Sequence, residues 1–167
     1  NKFYVEPVLS KFRGKDYSLL ALDVCSTNQD FLNISTLSEK LKDKDVSHKL
    51  LETYIGIKDW RHANKLNSKF KVILKKLKKD NDFISICEIE GVNIWNILEP
   101  QFSCYFDVRL RTHLLEFIAV ENAIKDINPD IVVSQQETSD IDKAVFLACK
   151  KRSIPTVAVQ HGNIVND

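Results

Sequence analysis

The chain has 167 residues, 44% of them hydrophobic and 28% charged, with a formal net charge of +1. That length and balance suit one globular domain over residues 1–167 with a core of its own, and the lack of a basic excess excludes a general nucleic-acid binder. No apolar run approaches the roughly 20 residues that span a bilayer, and no secretory leader is visible, so the chain reads as cytoplasmic.

In chain order, Val5, Val8, Leu9 and Phe12 recur at helical spacing and predict a leading helix. Gly14 and a charged turn precede Tyr17–Val24, a nearly continuous apolar run of the kind found in buried parallel strands. A helix-then-strand start implies a first strand upstream, because doubly wound domains open with β-α-β. With the absence of methionine, it predicts that the chain is a piece of a longer protein.

From Ser35 to Asp80 the pattern reads as mostly helical, which makes His48 and His62 surface residues of charged helices. Within it, Leu66, Phe70, Ile73, Leu74 and Leu77 form an apolar stripe, and Lys65, Lys69, Lys71, Lys75, Lys76, Lys78 and Lys79 cover the remainder. The lysines are read as a solvated face; the alternative is a basic surface that touches anionic headgroups or a polyanionic substrate. Phe83 to Ile89 alternates and predicts an extended segment ended by Gly91. A second long helix is expected from about Phe102 to Ile127, stopped by Pro129, with Arg109, Arg111 and His113 on its flank. Trp60 and Trp95 are read as packing residues.

The last third forms a β-α-β unit. Ile131-Val132-Val133 is a short strand, and Ser134-Gln135-Gln136-Glu137-Thr138 a polar loop. Ser139 caps a helix whose buried face is Ile141, Ala144, Val145 and Ala148, and Ile154–Val159 is the next strand. Ligands of open α/β sheets bind at the carboxyl ends of the strands. There the second strand runs into Gln160, His161, Gly162 and Asn163, opposite the loop that holds Glu137 and Thr138. A histidine beside a carboxylate is a general-base arrangement, so His161 and Glu137 are the candidate catalytic pair. Gly162 admits a close backbone approach, and the Gln160 and Asn163 amides, with the Thr138 hydroxyl, can fix substrate hydroxyls. The bland alternative is a histidine bonded within a surface turn.

The four cysteines, Cys25, Cys87, Cys104 and Cys149, are scattered without a C-x-x-C pair, which reads as reduced thiols and not as a zinc site. No Walker loop, G-x-G-x-x-G, G-x-S-x-G or H-E-x-x-H occurs.

Asn128–Val133, Glu137-Thr138-Ser139 and Ile154–Gly162 together resemble the N-terminal domain of GT-B glycosyltransferases, most of all those linked to surface-carbohydrate and capsule synthesis. Glu90-Gly91-Val92-Asn93-Ile94-Trp95 is similar to a G-(v/i)-(d/n)-(l/i)-W element of the same proteins. The resemblance runs from about residue 83 to the end. It implies a Rossmann-like three-layer α/β/α fold with a parallel sheet, forming the acceptor-side half of a two-domain enzyme. A sugar or lipid-linked acceptor would bind here, and the nucleotide-sugar donor mainly to a C-terminal domain outside this chain. The family implies no metal and no other cofactor, and allows peripheral contact with the inner face of the cell membrane. It gives His161 and Glu137 the acceptor hydroxyl to activate, and Gly162 a backbone contact. Two departures are plain. The glycine-rich loop expected after the first strand is missing, and without the donor half this piece should be inactive. Similar terminal strands occur in non-hydrolysing nucleotide-sugar 2-epimerases, and a non-catalytic Rossmann-like binding module remains a third reading.

Overall fold

The computed structural model describes residues 2–24, 42–134 and 139–159. The backbone gathers into two compact units, residues 1–55 with 116–167, and residues 56–115. Together they make a mixed α/β chain in which helices dominate and the described strands form three two-stranded sheets.

The first unit opens with α1 (Lys2–Phe12) and β1 (Leu19–Asp23), as the apolar spacing predicts. β2 (Val46–Leu50) runs parallel to β1, with Leu19 opposite Val46 and Asp23 opposite Leu50. This corrects the helical reading of the segment. Val46, His48 and Leu50 turn inward to different degrees while Ser47 and Lys49 are exposed, a period of two that only a strand satisfies. The Asp43 carboxylate starts the strand by accepting from the backbone N–H of Asp45 (3.0 Å) and Val46 (3.2 Å). A 3₁₀ turn (Leu51–Tyr54) follows, and its Tyr54 carbonyl accepts from Asn122 Nδ2 at 3.0 Å.

After the second unit come the rest of α5 (Leu110–Ile127), then β5 (Val132–Ser134), α6 (Asp140–Lys151) and β6 (Thr156–Ala158). β5 and β6 are parallel, with Ser134 opposite Ala158. The Ser139 hydroxyl accepts from the Asp142 N–H at 3.1 Å and caps α6 as its sequence predicts. α6 ends in a Schellman motif: Ser153, at φ +56°, donates to the Lys150 carbonyl and Ile154 to that of Cys149. Leu51, Ala119, Val120, Ala123, Ile124, Ala144, Ala148 and Cys149 form the buried core. Leu22, Val24, Val132 and Ile154 pack against it, so both parallel strand pairs rest on one apolar cluster.

The second unit begins with α2 (Ile57–Leu77), where the Gly56 N–H donates to Asp59 Oδ2 at 2.8 Å. Of its apolar stripe, Leu74 is buried, Leu66 and Leu77 are half-buried, and Phe70 and Ile73 remain exposed. The expected extended segment from Phe83 instead begins as helix α3 (Asn81–Ile86), followed by the hairpin β3 (Glu88–Ile89) and β4 (Val92–Asn93). Asp80 decides the matter: its carboxylate accepts from the N–H groups of Asp82 and Phe83, and Phe83, Ile84 and Cys87 then share the inner face at helical spacing. The Gly91-Val92-Asn93-Ile94-Trp95 element has a structural explanation here. Asn93 Oδ1 accepts from the Trp95 N–H at 2.9 Å, and the buried Trp95 ring meets Phe83 and Phe102 at 5.4 and 6.0 Å. Trp95 begins α4 (Trp95–Cys104), which continues through a π-helical turn (Tyr105–Arg109) into α5, so the helical run starts earlier than expected.

Candidate functional site

The β-α-β unit brings together the ends of two loops. β5 and β6 run in the same direction, and the Val159 N–H donates to the Ser134 carbonyl at 2.9 Å, so Ser134 and Val159 are hydrogen-bonded neighbours at the carboxyl ends of the two strands. The predicted site residues Glu137 and Thr138 on one loop, and Gln160, His161, Gly162 and Asn163 on the other, lie outside the described residues. What the structure describes is the seat of the first loop. The Asp142 carboxylate accepts from the hydroxyls of Ser134 and Ser139, one on each side of residues 135–138. A single α6 carboxylate thereby ties the end of β5 to the helix N-cap, and Ser134 is buried where it does so.

A second imidazole–carboxylate pair stands on β1 and β2. His48 Nδ1 lies 2.8 Å from Asp23 Oδ2, and the two side chains are 17% and 24% exposed. A carboxylate oxygen can only accept, so in this contact the ring's Nδ1 carries the proton. Sequence reading placed His48 on a helix surface and did not single out Asp23. The signals were an aspartate closing an apolar strand and the two-residue alternation of Val46–Leu50, but the contact itself joins residues 25 apart.

The second unit holds a mostly polar groove of about 420 Å³ lined by Asn64, Asn67, Ser68, Lys71, Asp107, Val108 and Arg111. Lys71 Nζ reaches Asp107 Oδ1 at 2.9 Å, and the ammonium holds that carboxyl below the usual carboxylate range. Of the predicted flank, Arg109 is exposed at the end of the π-helical turn, while Arg111 and His113 are engaged with aromatic rings. Arg111 lies over Trp60 at 5.7 Å, and His113 stacks on Tyr105 at 5.7 Å. Trp60 is therefore half exposed beneath a guanidinium and Trp95 is buried in packing. Among the described residues no three His, Cys, Asp or Glu side chains gather as a metal-binding group. No described helix is long and apolar enough to cross a membrane.

No protein-family model, curated protein or solved structure matches the chain.

Proposed function

We propose that the chain is the acceptor-side domain of a nucleotide-sugar-dependent glycosyltransferase acting in cell-surface polysaccharide or glycolipid synthesis. In this reading the two parallel strand pairs of the first unit belong to a Rossmann-like three-layer α/β/α half. One observation carries it: the loops that hold Glu137 and His161 start from hydrogen-bonded neighbours, Ser134 and Val159, at the carboxyl edge of a parallel pair. That edge is where α/β sheets bind ligands.

Within the reading, His161 accepts the proton of an acceptor hydroxyl as its oxygen attacks the anomeric carbon, and the bond from that carbon to the nucleoside diphosphate breaks. Glu137 orients the imidazole and stabilises its charged form. Gln160, Asn163 and Thr138 hold acceptor hydroxyls, and Gly162 lets the backbone approach. The donor would be supplied by a further domain.

The test uses the full-length protein, first matched to a nucleotide-sugar by thermal shift, since a ligand that binds the native state raises Tm. His161→Ala and Glu137→Gln are expected to slow transfer by about 10²–10⁴-fold with little change in Tm. Wild-type rates in both would remove the assignment. Loss of turnover in His48→Gln alone would move the base to the β1–β2 pair.

A further inference from the structure

Helices that pack together normally meet along apolar stripes. In the second unit, α2 and the π-helical turn are packed through Phe70 and Phe106, at 6.3 Å, but beside that contact they turn polar rows toward each other. On α2, Trp60, Asn64, Asn67 and Lys71 recur at intervals of three and four residues with Ser68 beside them, so they form one stripe. Asp107 of the turn and Arg111 of α5 stand across from it, and the groove of about 420 Å³ lies between the two rows. That volume falls in the range of small-ligand sites. Arg111 over Trp60 and the Lys71–Asp107 ion pair tie the two walls together.

Two features here are unfavourable to folding alone. A π-helical turn interrupts an otherwise α-helical run, and such turns are frequent at functional sites. Asn67 is half-buried, and its Oδ1 is buried with no hydrogen-bond partner. The lining also has the chemistry of a ligand site. Arg111 rests on an indole, and among the described residues no protein group accepts from its N–H groups. Asp107 is the one acid in the lining and is matched by Lys71, so the Arg111 charge is left over. A guanidinium with unused donors is complemented by an oxyanion. The Asn64 and Asn67 amides can donate and accept, and the Ser68 hydroxyl, whose proton goes to the Asn64 carbonyl at 3.0 Å, can accept. Such groups recognise alcohols on the same ligand. Lys65, Lys69 and Lys76 are exposed too, but helical spacing puts them on the far side of α2.

We propose that this groove binds a small hydroxylated oxyanion, a phosphate ester or carboxylate of monosaccharide size, with Arg111 on the anionic group and Asn64, Asn67 and Ser68 on the hydroxyls. The site lies within residues 56–115 and does not rest on the catalytic reading of the first unit, so either can fail alone.

Isothermal titration of the full chain with glucose 6-phosphate, glucuronate, glucose and inorganic phosphate tests it. Saturable binding is expected of glucose 6-phosphate, of glucuronate or of both, which tells a phosphate from a carboxylate, and it should weaken with salt. Glucose and inorganic phosphate each offer only part of the required groups and should bind about tenfold more weakly, or less. Arg111→Gln should weaken the complex roughly tenfold. Asp107→Asn, at a side chain 61% exposed, should instead tighten it severalfold by removing the opposing charge, a gain that damage to the fold would not give. Lys65→Gln with Lys69→Gln should stay within about twofold of wild type. Any of four outcomes overturns the proposal: no saturable binding of either acid by the wild type, equal binding of glucose or of inorganic phosphate, undiminished binding by folded Arg111→Gln, or a weaker complex in folded Asp107→Asn.

Discussion

The Asp43 carboxylate receives the Arg13 guanidinium through both oxygens, at 3.0 and 2.9 Å, and also accepts the two backbone N–H groups that start β2. The hydrogen bond from Arg13 is the main reason its carboxyl is held below the usual carboxylate range. A group whose folded pKa is depressed stabilises the native state above its unfolded value and ceases to do so as pH falls through the folded one. Arg13→Gln should therefore lower Tm at neutral pH, and the gap to wild type should close as the solution is acidified below about pH 4. Thermal unfolding across pH reads this directly, and an acid limb parallel to that of wild type would contradict it. The Asp23–His48 pair belongs at the same scale. Each partner is unremarkable in its own stretch of sequence, and only the pairing of β1 with β2 gives either a role.

At the scale of elements, the β3–β4 hairpin turns on Glu90 at φ +51° and Gly91 at φ +79°, the two left-handed positions of a type I′ turn. Glycine occupies the second without strain, but glutamate at the first does not suit it. Glu90→Asn creates the favoured Asn-Gly pair and should stabilise by a few tenths to about 1 kcal/mol, whereas Gly91→Val should cost about 1–3 kcal/mol. Urea unfolding midpoints distinguish the two signs. Elements were readable in the sequence where several local signals agreed. α6 had its serine cap, its apolar face and its closing lysines, and β5 and β6 flank it as expected. β2 was hidden because its five residues sit among charges and its alternation is one strand long. α3 was misread because Phe83, Ser85 and Cys87 alternate by accident, and the deciding signal was the Asp80 cap three residues earlier. The candidate site residues were chosen for their position after strands. The clamp that flanks residues 135–138 was not foreseen, because it depends on a tertiary contact between the end of β5 and the first turn of α6.

For the whole molecule, the first unit depends on a narrow core in which half of the buried residues are alanines: Ala119 and Ala123 on α5, Ala144 and Ala148 on α6. Ile124, 2% exposed, is with Leu51 one of the two largest side chains of this core, and Ile124→Ala should cost about 2–5 kcal/mol. Beside it Cys149 has no exposed surface, and burial pushes its thiol above the ordinary value. Only a thiolate reacts with a disulfide reagent, so this sulfur is silent until the core parts. Cys104 is open and Cys87 half-buried, both in the other unit. With Cys25 replaced by serine, the protein becomes its own stopwatch. Two sulfurs should label promptly and the third only at the pace of core opening, hastened roughly thirtyfold or more by a loss of about 2 kcal/mol in Ile124→Ala. Prompt labelling of all three in the Cys25→Ser protein, with Ile124 intact, would mean that the core around Cys149 breathes freely in the native state.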